Sequence, residues 1–407
     1  MANTLKLGAG KWATGNGTVL AFNDENNNFK PLPFTFTRAS KATVVNQSGL
    51  IEEVSAGDPR IDFKDNTKGA LLLEPQRSNK LPWSNKFTNW SPTNISLTEN
   101  STISPDGSLN ATKITDNATF GNHRVITSTT TSSSGNATYS IFLKKGTMTT
   151  CFINFFSNGT IGNTQVDLEN GTISGGTGVS QSIEPYGNGW YRVSITGVLA
   201  TTTSFVYMYM KQIGGYNGVG DHMFMYGATL EESSYASSYI PTSGSAVTRV
   251  SDACNNGGNE QVINSTEGVL YGEVKYLSND IGLGKYSPIS ISGGTTNFVT
   301  FRHQGGVSNR LSIFIYVNNV EKFVLITSAY NLNNYVKIAV LYSSSGSKVF
   351  INGTVAYTDT INSSFPSNTL TEVEGFQGGD YFKGNIKDLR VYNTALTDAE
   401  LIALTTI

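Results

Sequence analysis

Residues 204–231 read SFVYMYMKQIGGYNGVGDHMFMYGATLE. On both sides of a glycine-rich centre, bulky side chains alternate. Phe205, Tyr207 and Tyr209 interleave with Val206, Met208 and Met210, and Met223 and Met225 interleave with Phe224 and Tyr226. A period of two marks strands, because successive side chains leave a pleated chain on opposite sides. An amphipathic helix would instead repeat its apolar residues at every third and fourth position. The stretch therefore reads as two strands joined by a loop, and only one of each alternating set can face a core.

The same alternation spreads in both directions. TYSIFLKK (138–145), TCFINFFS (150–157) and GWYRVSIT (189–196) follow it, with turns at SNGT (157–160), ENGT (169–172) and YGNG (186–189). Further on come LSIFIYVN (311–318), YVKIAVLY (335–342) and NIKDLRVY (385–392). IFIYVNNVEKFVLI and KVFINGTVAYT read as hairpins turning at Asn-Asn and Asn-Gly. Near the end, LTDAELIAL has Thr397 and Glu400 placed as a capping box, which directs Leu401 and Leu404 onto a sheet. The predicted fold is all-β: two successive β-sandwich or jelly-roll domains after a small loop-rich N-terminal β region, with one short C-terminal helix.

Composition agrees. Of 407 residues only 14% are charged, while 42 Gly, 19 Tyr and 21 Phe supply turns and core material. Residues 1–80 hold the short strand candidates FTFTR, ATVVN and ALLLE, too little to bury a core unaided. They are expected to anchor or oligomerise, borrowing stability from a neighbour or another copy. The expected domains are 1–80, 81–253 and 254–407. Between the last two, AVTRVSDA (246–253) echoes TFTRASKA (35–42), which suggests matched roles for Arg38 and Arg249 and an ordered strap leading back to the N-terminal block.

Net charge is −2 with no basic tract, so nucleic acid binding lacks its electrostatic footprint. There is no secretory leader pattern and no apolar run of about 20 residues, so neither export nor membrane insertion is expected. Cys151 and Cys254 sit far apart and suggest neither a disulfide framework nor a zinc site. The three histidines are scattered, and no Gly-x-Ser-x-Gly elbow or phosphate loop occurs. Asp167, Glu169, Asp221, Glu372 and Glu374 are carboxylates that nothing marks as an opposed catalytic pair, so no catalytic residue is assigned. Calcium would suit loop carboxylates, but no Asp-rich loop with regular spacing assigns it.

Three segments carry a resemblance. FTRASKATVVNQSGLIEEVSAGDPRIDF followed by GALLLEPQRSN resembles an N-terminal block of tailed-phage virion proteins. NGWYRVSITG and HMFMYGATLEESSYASSYIPTSGSAVTRVSD resemble the carbohydrate-binding-module-like sandwich that follows such a block. VFINGTVAYT and FKGNIKDLRVYNTALTDAEL look like the closing strands and helix of a laminin-G or concanavalin-like lectin domain. The resemblance implies a non-enzymatic bacteriophage structural protein, a head fibre, tail fibre or similar capsid appendage. It further implies a homotrimer assembled in the host cytoplasm, held to other virion proteins by its N-terminal region and displaying sandwiches to host-surface glycans. The alternatives are a polysaccharide-degrading tail spike or secreted glycan-active enzyme, and a capsid decoration protein without receptor binding.

Sugar sites stack aromatic faces on pyranose rings and meet hydroxyls with amides and carboxylates. Loops carry function more often than strands. The candidate glycan contacts are therefore Tyr216, Asn217 and Asp221 in GGYNGVGD, and Phe376, Asp380 and Tyr381 in GFQGGDYFKG. Trp190 and Tyr191, although aromatic, fit a core strand better.

Overall fold

Alternating residues in this chain become antiparallel strands throughout. The computed structural model describes residues 4–24, 27–132, 134–176, 178–277, 286–304, 310–328, 330–377 and 380–407, without the side chains of 30–32, 160, 286, 304, 376 and 377. Strands make up nearly all regular structure, and the one α-helix among the described residues is Asp398–Thr405. The all-β expectation holds. The chain divides into two compact units, residues 42–53 with 76–249, and residues 1–41 and 54–75 with 250–407.

The central unit is a sandwich of two six-stranded sheets. The first runs Ser91–Thr93, Arg124–Thr130, Thr203–Met210, Thr150–Phe156, Thr160–Asp167, Thr172–Gly175. The second runs Ile95–Ile103, Leu109–Asp116, His222–Glu231, Gly135–Lys145, Trp190–Leu199, Ser180–Pro185. Cys151, Ile153, Phe155, Met208 and Met210 from the first meet Tyr139, Ile141, Leu143, Val193, Met223 and Met225 from the second. Cys151 is wholly enclosed, and burial pushes its thiol up to about 12, as expected of an inert packing residue. On the far side of the second sheet, Phe142, Trp190 and Tyr226 are covered by Ile51 and Tyr239.

The other unit faces a five-stranded sheet against a much larger one. Strand Leu5–Gly8 pairs with Gly384–Tyr392, setting Leu5 opposite Val391 and Leu7 opposite Leu389, and all four enter one core. Ala70–Leu73 pairs with the start of that same C-terminal strand. The first 80 residues thus lie mostly inside the C-terminal sandwich, a division different from the 1–80, 81–253 and 254–407 boundaries expected from sequence. The physical reason is that these short early strands bury their apolar residues by pairing with a strand near the far end of the chain. Both hairpin turns form as read: Asn318 and Asn319, and Asn352 and Gly353, all take positive φ. The capping box forms as well, and Leu401 is buried against the sheet.

The repeated Thr-Arg segments are ordered. Arg38 donates to Asp252 (3.1 Å) in a fully buried cluster in which Arg60 also pairs with Asp252 and with Glu74 (2.6 Å). Burial alone would make Arg60 easier to deprotonate, but the two carboxylates outweigh it and hold the charge firmly. Arg249 is buried in the central unit, donating to Ser237 (3.2 Å) and Ser238 (2.9 Å) beside buried Glu231. Residues Ala253–Asn255 then pair with Thr35–Thr37, so the strap does return to the N-terminal block.

Candidate functional site

Which alternating set is core decides what the central sandwich shows outside. Met208 and Met210 point inward, so Phe205, Tyr207 and Tyr209 point outward. Strand Thr150–Phe156 buries Cys151, Ile153 and Phe155 and presents Phe152, Asn154 and Phe156. Register then builds three rows across the sheet. Arg124, Tyr209, Phe152 and Gln165 form one; Ile126, Tyr207, Asn154 and Asn163 the next; Ser128, Phe205 and Phe156 the third.

The rings form a continuous platform. Tyr207 and Tyr209 lie 6.1 Å apart and 16° from parallel, and Phe205 lies 6.3 Å beyond Tyr207. Phe156 stands edge-on to Phe205 (6.1 Å) and Tyr207 (6.2 Å). Arg124 rests over Tyr207 (5.2 Å) and Tyr209 (5.5 Å) and donates to the Tyr209 hydroxyl at 2.8 Å. All these rings except Tyr209 are half-buried, whereas Asn163 and Gln165 are exposed. Flat apolar faces bordered by amides, each able to donate and accept, suit a ligand with apolar faces and a rim of hydroxyls. Two polar atoms here, Asn154 Oδ1 and Arg124 Nε, have no hydrogen-bond partner.

The glycine-rich loop is put together differently. Asp116 Oδ1 accepts from the backbone N–H groups of Val219 (3.1 Å), Gly220 (2.7 Å) and Asp221 (2.9 Å), and Oδ2 accepts from the Tyr216 hydroxyl at 3.0 Å. Tyr216 also packs against buried His123, with ring centroids 4.2 Å apart. Burial, then the bond to Asp116, drives the Tyr216 phenol well above its ordinary value. Gly218 is required at its position, because a Cβ there would sit 2.1 Å from the Asn117 carbonyl. Asn217 is exposed. Tyr216 and Asp221 thus converge on Asp116, a carboxylate the sequence did not single out.

In the other unit, Phe376–Gln377 and Asp380–Tyr381 form a two-stranded sheet, with Phe376 opposite Tyr381. The Phe376 side chain lies outside the described residues. Tyr381 is 39% exposed, with Lys383 Nζ 5.4 Å from its ring. The five-stranded sheet also carries outward aromatics. Phe298 stacks on Tyr316 (5.0 Å), whose hydroxyl donates to Glu321 (2.8 Å), and Arg302 covers Phe314 (4.4 Å).

A cleft of about 780 Å³ in that unit places Glu273 opposite Asp388 on paired strands. Lys387 pairs with the first and Arg390 with the second, so both charges are locally matched. The other carboxylates considered do not flank a groove together. Asp167 is bound within its own turn, Glu169 pairs with Lys145 (2.6 Å), and Glu372 and Glu374 share one short strand. Among the described residues no group of three or more His, Cys, Asp or Glu could hold a metal, and no helix is long and apolar enough to cross a membrane.

Residues 281–402 match the family described as the concanavalin A-like lectin/glucanases superfamily, of the laminin G type. No curated protein matches the sequence. Among solved structures, the CBM40 of a Ruminococcus gnavus IT-sialidase is similar at 16% identity, over 37% of this chain and 93% of that one, with a TM-score of 0.30. Domain 4 of a Geobacillus stearothermophilus arabinanase, solved with arabinotriose, is 16% identical over 42% and 82%, with a TM-score of 0.31. Mouse laminin alpha1 LG4-5 is 10% identical over 65% and 86%, at 0.25. Likeness at this level says nothing about what this chain binds.

The aromatic face was the feature that sequence reasoning passed over. Its signal was present: once the methionines are assigned to the core, Tyr207 and Tyr209 must face outward. TCFINFF then supplies a second outward row of Phe152, Asn154 and Phe156.

Proposed function

We propose that the protein is a non-catalytic, glycan-binding appendage of a tailed-phage virion, holding a host saccharide on the outward face of its central sandwich. The observation that carries the binding reading is the run of rings from Phe205 through Tyr207 to Tyr209, bordered by Asn154, Asn163 and Gln165. Phe205 and Tyr207 stand half-open and offer apolar faces, while Tyr209 is buried at the end of the run. The virion setting is supported by the N-terminal sequence block, and the laminin G match extends the lectin-like character to the second unit. The reading needs no cofactor.

The test is direct binding of purified full-length protein to host capsule and cell-wall polysaccharides, with Tyr207→Ala alongside. Binding that weakens at least tenfold in the variant supports the reading. Equal binding moves the site away from this face. Release of reducing ends from any of these polysaccharides would replace adhesion with hydrolysis, and immunogold labelling of intact particles tests head against tail attachment.

A further inference from the structure

We infer that Arg124 makes this face selective for acidic saccharides, those that carry a carboxylate or sulfate group; this rests on reading the face as a glycan site. The outward residues of the sheet are otherwise Ser, Thr, Ile, Phe, Tyr, Asn and Gln, with one further charge, Asp167. Asp167 is fully engaged at the far side. It accepts from Glu169 N (2.9 Å), Asn170 N (3.0 Å) and Asn170 Nδ2 (2.8 Å). Its strand lies three places from that of Arg124, roughly 14 Å at ordinary strand spacing.

Arg124 is the opposite case. Of its five N–H donors, one Nη1 bond goes to the Tyr209 hydroxyl, Nε is buried without a partner, the other Nη donors are left for a ligand, and no carboxylate lies within ion-pair distance among the described residues. The guanidinium carbon lies 5.2 Å and 5.5 Å from the centres of the Tyr207 and Tyr209 rings, and the bond to the Tyr209 hydroxyl fixes its orientation. A half-buried cation with unused donors favours an anion, and its planar fork matches a carboxylate or sulfate. In the glycine-rich loop the Asp116 carboxylate is saturated by the 219–221 backbone and Tyr216. Lys211, just past Tyr209 and exposed, adds a second cation at that strand end. The platform thus supplies general sugar affinity, and Arg124 supplies the choice among sugars.

The experiment titrates full-length protein with two matched pairs, 3′-sialyllactose against lactose and oligogalacturonate against its methyl ester, at low and high salt. The expected result is an acid member bound on the order of tenfold tighter than its neutral partner, with the gap narrowing as salt rises. Arg124→Gln is expected to erase the gap, so that acid and neutral members bind the variant equally, whatever its affinity for the neutral sugars. Arg124→Lys, which keeps the charge without the fork, retains part of it and guards against a folding defect. Equal binding within both pairs, or a preference that survives Arg124→Gln, overturns the inference and leaves the glycan reading standing. Tyr207→Ala separates the two ideas, since it should weaken acid and neutral members alike. Failure of the wild type to bind any of the four removes the glycan reading and this inference with it.

Discussion

Trp190 and Tyr207 both stand on outward faces of the central sandwich, one on each sheet, and meet opposite surroundings. Trp190 is 1% exposed, its indole donating to the Ile103 carbonyl at 3.0 Å amid Phe142, Tyr226 and Tyr239. Tyr207 stands half-open in a row of rings that belongs to no core cluster. Both are aromatic and both point away from the core between the sheets; what differs is whether another segment of chain lies on top. An aromatic on a sheet face is structural where it is covered and available where it is not.

Four measurements would break or sharpen that contrast. The largest effect is expected from Trp190→Ala, which should cost about 3–5 kcal/mol of stability in denaturant unfolding, because it empties a covered pocket. A loss under about 1 kcal/mol would mean that this face is not truly sealed. Asp116→Ala should cost about 2–3 kcal/mol and release hydrogen-exchange protection at residues 219–221, since three backbone donors lose their acceptor. If it also abolished saccharide binding while Tyr207→Ala did not, the loop rather than the platform would be the site. Tyr207→Ala should cost only about 1 kcal/mol of stability, its main effect falling on affinity.

The smallest effect concerns acid. Burial alone would raise the Asp106 carboxyl, but bonds from Ser104, Asn110, Ser108 and the Tyr226 hydroxyl beneath the covered face hold it below the ordinary range. A depressed carboxyl contributes stability that is present above its unfolded value and is lost as pH falls through its folded value. Asp106→Asn should therefore flatten the acid limb of the stability profile. An unchanged limb would show that these bonds do not form in solution.

Much of this was readable beforehand, and the reasons differ by element. The hairpins at Asn318–Asn319 and Asn352–Gly353 and the Thr397–Glu400 cap depend on a few adjacent residues, so local chemistry suffices. The strap after Arg249 was legible only as an echo; its own Asp252 takes Arg38 from 214 residues away, and Glu231 lies beside Arg249. Tyr216 looked like a loop aromatic suited to a ligand, because nothing near it in sequence shows that Asp116 takes its hydroxyl. Trp190 was legible as core only from the resemblance of NGWYRVSITG to a core strand; alternation with Val193 and Ile195 puts it on the opposite face, which other segments cover.

The sequence by itself determined the strands, their turns, the helix cap and the all-β class, because these follow from backbone stereochemistry and neighbours a few residues apart. Tertiary structure alone decided that Leu5–Gly8 would pair with Gly384–Tyr392, and that Arg124, Tyr209, Phe152 and Gln165 would share a row. It alone decided that the Trp190 face would be covered. Pairing and coverage are contests among distant segments for the same apolar surface, and no window of sequence contains all the competitors.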